Sequence, residues 1–376
     1  FFVTYFLLAN FSNHSVYIFL SLASGLATFV LALFCTDIDK KRKSFLCAVG
    51  LITALISAGF AIDDSWGFTS STFQKSNVEG NWTIIAKEPS FYGNHTIVEY
   101  SDETGVEWRG LLTVGLLNNQ IHKSGISASH FTHALEALAM SDQDLPKDVL
   151  ILGLGVGVIA TTLSKAGSHI DVVELDPKVL RIAQKYFLFD KSLVDLYFED
   201  ARTFVRKCQD KYDVIVVDLA RGDGIPPHVV SFDFFEDIKE CLLDRGALVM
   251  NAFYGAKNSD SKKSLFKTLV SVYDRIIVFE APAEKEATAQ QGYILARKTK
   301  DSWGFTISVS SLPKFMVGAL SPIFKNWKEY NQDSEFVKDV LPIRDERNDW
   351  RRQTIDINVA YRKMLTSKLP WQVLLD

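Results

Sequence analysis

The sequence predicts an α/β chain in three parts: N-terminal transmembrane helices, a small β domain and a doubly wound sheet. Three observations predict it. The first 36 residues contain no Asp, Glu, Lys or Arg. Residues 148–176 run strand, glycine turn, helix, strand and acid in that order. Beyond them, apolar strands alternate with helices to about residue 300.

Taken in order, residues 16–34 are apolar enough and long enough to cross a bilayer, and a second uncharged run covers 44–62. The expectation is an antiparallel pair of membrane helices, spans about 16–36 and 44–62, with residues 1–8 as the tail of another span. Four consecutive cations, Lys40 to Lys43, occupy the intervening loop. The positive-inside rule puts that loop in the cytoplasm, which makes the protein an integral membrane one and leans its soluble part to the extracytoplasmic side. Glycosylation sequons at Asn10, Asn13, Asn81 and Asn94 fall on that same side. No basic region precedes the apolar start, which argues against a cleaved signal peptide.

Alternating strands follow at 82–86, 96–100 and 106–114 around a turn at 102–105, a β-hairpin pattern. Residues 127–140 then read as a helix carrying His130 and His133 three apart. Two histidines at that spacing lack a third ligand, so helix-face or pocket histidines are favoured over a metal site, and no metal is expected.

At the centre, Asp148-Val-Leu-Ile-Leu ends in Gly153, Gly155 and Gly157, which let the backbone turn sharply and approach a ligand at a helix N-terminus. Glu174 closes the next strand about 20 residues on, where a carboxylate can accept both ribose hydroxyls. Downstream, strands at 194–198 and 212–218 end at Asp200 and Asp218, with helices at 201–208 and 232–243, a strand at 246–251 and a final pair at 275–279 and 292–296. Parallel doubly wound sheets bind ligands beyond the carboxyl ends of their strands, where Gly153, Glu174, Asp200 and Asp218 all fall. Singly, Asp200 also reads as a helix cap and Asp218 as the start of a loop.

The domains are therefore transmembrane helices at 1–62, a β-hairpin domain at 63–125, a nucleoside-binding domain at 126–300 and a helical extension at 301–376. With a net charge of -4 there is no cationic excess, which excludes nucleic acid as a main partner. Cys208 and Cys241 fall in helices with no evident pairing, and residues 301–376 carry no chemistry that the sequence names.

Certain segments resemble the spermidine synthase (polyamine aminopropyltransferase) family, and more closely its membrane-fused relatives. They are 90–98, 150–157, Val172-Val-Glu-Leu-Asp-Pro177, Glu199-Asp-Ala-Arg202 and 212–226, and the resemblance spans about 80–300. It implies a small β domain followed by a Rossmann-like methyltransferase sheet. It also implies a donor, S-adenosylmethionine or its decarboxylated form, bound by Gly153, Gly155, Gly157, Glu174, Asp200 and Ala201. Asp218 and Asp223 stand at the catalytic positions, Asp218 as base and Asp223 holding a distal ammonium. Asn118, His133 and Arg221 stand where the substrate binds.

The departures are Val156 in place of a glycine-loop acid, Asn118 closing Val114-Gly-Leu-Leu-Asn, Thr132-His-Ala134 in place of Tyr-His-Glu, and a lengthened loop from Asp218 to Asp223. An S-adenosyl donor that keeps its carboxylate tolerates Val156 better than an acid there, because two carboxylates in one pocket repel. Three readings stay open: a membrane-anchored transferase with methyl transfer slightly favoured, a polyamine aminopropyltransferase, and an inactive subunit of a membrane assembly. The expected partners are membrane lipid, a small-molecule or protein acceptor, and a homodimer or membrane-protein partner.

Overall fold

The computed structural model describes residues 13–34, 39–62, 72–75, 78–101, 105, 107–142, 145–220, 224–280, 287–299, 305–308, 312–367 and 369. The chain divides into two compact units. One comprises residues 1–105, 112–115 and 369–376, the other 106–111 and 116–368.

The first unit begins with two helices, α1 (Asn13–Phe34) and α2 (Lys40–Ile62). They pack backbone to backbone at Gly25 and Gly50. A Cβ added to Gly25 would stand 2.9 Å from the Ala54 nitrogen and the Gly50 carbonyl, and one on Gly50 would stand 2.7 Å from the Gly25 carbonyl.

Neither helix is the expected membrane span. Among the described residues no helix is long and apolar enough to cross a membrane. A lack of charge is not the same as sufficient hydropathy. α1 includes Asn13, His14, Ser15, Ser21, Ser24 and Thr28; α2 opens on four cations and then includes Ser44, Thr53 and Ser57. The integral-membrane location and the extracytoplasmic soluble part were inferred from those spans and fall with them. The run 1–8 lies outside the described residues.

Strands β1 (Thr72–Lys75), β2 (Val78–Glu88), β3 (His95–Ser101), β4 (Glu107–Thr113) and β5 (Leu116–His122) make a five-stranded sheet in sequential order. Neighbouring strands pair antiparallel from β1 to β3, as hairpin connections dictate.

In the second unit, α3 (His130–Ala139) leads to β6 (Asp148–Leu152), α4 (Val158–Ala166), β7 (His169–Glu174), α5 (Pro177–Tyr186), β8 (Asp195–Phe198) and α6 (Ala201–Val205). β9 (Tyr212–Val217), α7 (Phe232–Cys241), β10 (Leu242–Gly255), α8 (Asp260–Tyr273), β11 (Arg275–Glu280) and β12 (Ala289–Arg297) follow. The chain then runs through α9 (Lys314–Lys325), β13 (Lys328–Asn331) and α10 (Trp350–Ser367). Local chemistry starts the helices where they start: Asp176, Asp200, Ser231 and Ser259 each accept backbone N–H groups of the following turn, and Pro177 opens α5 without wasting a donor.

Eight strands form one sheet in the order β13-β11-β12-β10-β9-β6-β7-β8. From β10 to β8 the neighbours are parallel, whereas β12 pairs antiparallel with β10 and β11, and β13 with β11. Both faces are covered. On β6, Leu150 and Leu152 enter one core while Val149 and Ile151 enter the other; on β9, Ile215 and Val217 divide likewise from Val214 and Val216. That alternation of buried side chains is what a strand with helices on both sides requires. The chain leaves β6 for β7 and β8 on one side, then crosses back to β9 and β10 on the other. The order therefore reverses between β6 and β9, and this topological switch point opens a crevice at the carboxyl ends.

Residues 312–367 belong to this unit. α9 buries Met316, Leu320, Ile323 and Phe324, and the fully buried Trp350 opens α10. Cys208 and Cys241 form a disulfide with their Cα atoms 5.0 Å apart, a pairing that arises because the end of α7 packs beside the turn after α6.

Candidate functional site

The glycine turn after β6 is shaped by positive φ angles of 98° at Gly153, 54° at Gly155 and 80° at Gly157, a region L side chains rarely adopt. A Cβ on Gly153 would lie 2.4 Å from the Asp218 carbonyl, and one on Gly157 would run into the Phe189 ring. Gly153 is thus needed to let the ends of β6 and β9 close together, and Gly157 to seat the Phe189 ring. Asp218 N–H donates to the Leu152 carbonyl at 3.0 Å, which fixes that closure.

Glu174 ends β7 beside this turn. Its Oε2 accepts from Leu154 N–H at 3.0 Å and its Oε1 from Asp176 N–H at 2.9 Å. Burial pushes its carboxyl above the ordinary value, against the pull of those N–H groups. Each oxygen keeps acceptor capacity for a further donor such as a sugar hydroxyl.

Asp200 takes the cap role that its position allows. Its Oδ1 accepts from Arg202 and Thr203 N–H at 3.1 Å, and its Oδ2 faces His228 Nε2 at 3.2 Å. Ala201, buried, is the first residue of α6. His228 was not visible as a site residue in the sequence, because 28 residues separate it from Asp200.

Asp218, just past β9, receives Asn251 Nδ2–H at 3.0 Å, and Asn251 in turn accepts from Gln291 Nε2–H at 2.9 Å. Burial raises the Asp218 carboxyl to about 6, and the Asn251 hydrogen bond only partly offsets this. Tyr293 is pushed well above its ordinary value by burial and by the Asp218 charge. Asn251 and Gln291, like His228, are residues that sequence reasoning missed. The one signal was a polar side chain interrupting the apolar run of β10.

Arg221 and Asp223 lie outside the described residues. Beyond them the chain returns under α10: Trp350 Nε1–H donates to the Ile225 carbonyl at 3.0 Å and Asn348 Nδ2–H to the Pro227 carbonyl at 2.7 Å. Arg202 grips Asp345 through both guanidinium nitrogens. Tyr361 of α10 packs its ring 4.3 Å from that of Phe253. The C-terminal extension thus holds the segment that follows Asp218.

Asn118 is half-buried on β5, where the neighbouring Asn119 is the buried residue, accepting from Ser129 Oγ–H at 3.1 Å. His133 is buried in α3, whereas His130 is exposed at its start. His133 uses Nδ1 toward Glu136 and Nε2 toward the Ser127 carbonyl, at 3.2 and 2.9 Å. Burial lowers its pKa, but the Glu136 and Ser127 hydrogen bonds outweigh this and raise it overall.

The reversal in strand order and the glycine turn at the switch point define a Rossmann-like, methyltransferase-type α/β domain. Within it, residues 129–281 match the family described as Spermine/spermidine synthase domain. The chain is 27% identical over 259 residues to a polyamine aminopropyltransferase of Vibrio vulnificus, covering 63% of this chain and 85% of that one. It is 26% identical over 232 residues to a polyamine aminopropyltransferase of Saccharolobus solfataricus, covering 59% and 70%. A crystal structure described as a probable spermidine synthase from Corynebacterium glutamicum shares the fold with a TM-score of 0.54 at 17% identity, over 74% of this chain and 96% of that one.

Proposed function

We propose that this chain is an aminopropyltransferase that takes decarboxylated S-adenosylmethionine as donor and an amine as acceptor. The observation that carries the proposal is Asp218: a buried carboxyl at the switch point, oriented by Asn251 and raised to about 6. At neutral pH such a group is ionised, yet its proton affinity is close enough to the working pH to serve as a general base. The names of the sequence relatives support aminopropyl rather than methyl transfer, and spermidine synthases use the decarboxylated donor.

In this reading Glu174 accepts the two ribose hydroxyls, Asp200 and Ala201 lie at the adenine, and the glycine turn lets the backbone approach the donor closely. The acceptor nitrogen attacks the donor carbon next to the sulfonium. The carbon–sulfur bond breaks with its electron pair moving to sulfur, neutral methylthioadenosine leaves, and Asp218 takes the proton released by the nitrogen. Asp223 would hold the far ammonium of a diamine, Arg221 a carboxylate and Asn118 the acceptor, whereas His133, with both ring nitrogens engaged by Glu136 and the Ser127 carbonyl, would only shape the wall. Val156 supplies no charge to the glycine turn, so recognition of any ammonium has to come from another element.

The test offers the full chain decarboxylated S-adenosylmethionine with 1,4-diaminobutane and, in parallel, S-adenosylmethionine with the same amine. Release of methylthioadenosine in the first reaction alone is the expected result. Release of S-adenosylhomocysteine in the second would move the assignment to methyl transfer. Neither product, with nucleoside bound, would favour a non-catalytic subunit.

A further inference from the structure

The sheet continues past Asp218 in two directions. Toward β6 and β7 stand the glycine turn and Glu174; the other way lie β10 and β12. Strand register sets Asn251 of β10 opposite Tyr293 of β12, and Phe253 opposite Gln291. Cross-strand partners point to the same face of a sheet, and so do residues two apart on one strand. Asn251, Phe253, Gln291 and Tyr293 therefore share one face at the carboxyl edge, where Asn251 meets Asp218. Helix α10 packs over this edge. Ile357 Cδ1 would stand 3.0 Å from a Cβ on Gly255, and one turn further the Tyr361 ring packs on Phe253.

Tyr293 is 2% exposed, yet its hydroxyl makes no hydrogen bond among the described residues and is not one of their fully enclosed polar atoms. Buried tyrosine hydroxyls usually find a partner. Burial raises the Tyr293 pKa, and the charges of Asp218 and Tyr361 raise it further, which agrees with the closeness that the register gives and keeps the phenol protonated at neutral pH. Asp218 spends Oδ1 on the Asn251 amide, and its Oδ2 takes no hydrogen bond among the described residues. Two polar atoms that a ligand can reach thus stand at one end of the sheet under α10.

We infer that Tyr293 orients the acceptor: its hydroxyl oxygen accepts one N–H of the attacking primary amine while Asp218 Oδ2 accepts the other, and Tyr361 closes the space over the amine's methylene chain. The inference rests on the proposed function for the identity of the amine. A tyrosine hydroxyl has acceptor capacity for such a bond. A neutral primary amine carries two hydrogens and one lone pair, so fixing both hydrogens leaves the lone pair a single direction, the alignment that a near-attack geometry needs. Tyr293 gives up no proton in the transfer; the amine's proton goes to Asp218 and the carbon–sulfur electron pair to sulfur. Because β12 lies on the far side of Asp218 from the glycine turn, Tyr293 meets the acceptor and not the donor's nucleoside.

Tyr293→Phe, which removes the hydroxyl alone, tests this in the full chain by two readouts. One is titration calorimetry of 1,4-diaminobutane into protein saturated with methylthioadenosine; the other is transfer from decarboxylated S-adenosylmethionine. Diamine binding is expected to weaken about threefold to tenfold, the size of one lost hydrogen bond, and kcat/KM to fall at least about tenfold, because alignment is lost as well. Methylthioadenosine affinity and the urea midpoint are expected to stay where they are. Tyr361→Ala is expected to weaken the diamine in the same titration and decides the matter should Tyr293→Phe not fold. Diamine binding unchanged in the variants, or absent from the unmodified chain, overturns the inference, and so does an equal weakening of methylthioadenosine. Diamine binding that Tyr293→Phe weakens, in a chain that transfers no aminopropyl group, would uphold the role of Tyr293 and refute the proposed reaction.

Discussion

Both edges of the eight-stranded sheet carry carboxylates, and the fold treats the two sets differently. At the amino edge, strand register places Asp148 opposite His169 and Asp171 opposite Asp195. His169 reaches Asp148 and Asp195 through its two ring nitrogens at 3.2 and 3.1 Å, and the hydrogen bond to Asp195 is the main cause of its raised pKa. Asp171 is met by Lys211 Nζ at 2.7 Å and Tyr212 O–H at 2.6 Å. At the carboxyl edge Asp200 faces His228, whereas among the described residues Glu174 and Asp218 receive only uncharged N–H donors, and burial raises both. A cation beside an acid locks the charge in place and settles the acid as structure. An acid left without one keeps its affinity for a proton and for a cationic substrate.

The sharpest way to break this contrast is Asp218→Asn. Transfer is expected to fall by about 10³-fold in kcat, the size of effect that loss of a general base produces. Stability is expected to move the other way. The folded pKa of about 6 lies above the ordinary value of 3.8, so the protonated carboxyl favours the fold. That contribution is complete below 3.8 and is lost as pH rises through about 6, worth at most about 3 kcal/mol. Denaturant titration at pH 8 should therefore find the Asn variant at least as stable as the unmodified chain, and a marked loss of stability would show Asp218 to be a structural acid.

Next in size, Glu174→Gln keeps the shape of the side chain but removes its charge. Methylthioadenosine binding measured by calorimetry is expected to weaken about tenfold to a hundredfold, since hydrogen bonds to a charged group contribute about 1.5–3 kcal/mol. Arg202→Ala removes the cation that grips Asp345, whose carboxyl the guanidinium holds below the usual range. The Arg202 side chain is 10% exposed and Asp345 37%, so the loss should be about 2 kcal/mol by urea unfolding, short of the roughly 3–5 kcal/mol for a fully buried pair. Smallest is Lys211→Met at the amino edge. With Lys211 48% exposed, about 1 kcal/mol of stability is expected to go and kcat to stay the same. A drop in kcat there would erase the distinction between the edges.

Residues whose position depends on chain-local geometry were legible in the sequence. Gly153, Glu174, Asp200 and Asp218 each sit at the end of an apolar run, and a run of that kind in a parallel sheet has only one edge on which its last residue can emerge. Asn251 was not legible, because it meets Asp218 only through the parallel register of β9 and β10. Helix α8 and strand β5 went unread, and the extension after residue 312 gave no local sign that Trp350 and Asn348 hold the segment after Asp218. The N-terminal helices failed for another reason. Absence of charge was read as hydropathy, although serine, threonine, asparagine and histidine dilute one helix and four cations open the other.

By itself, then, the amino-acid sequence determined the alternation of strands and helices, the sharp glycine turn and the edge on which the acids stand. Those follow from side-chain periodicity and backbone freedom over a few residues. Only the tertiary structure decided which acids acquire a cation and which do not, because that depends on which distant side chain arrives within hydrogen-bond reach. His169, Lys211 and Arg202 found carboxylates 26, 40 and 143 residues away, whereas among the described residues Glu174 and Asp218 were met only by neutral N–H groups. Electrostatic environment is a property of packing, and no window of local sequence contains it.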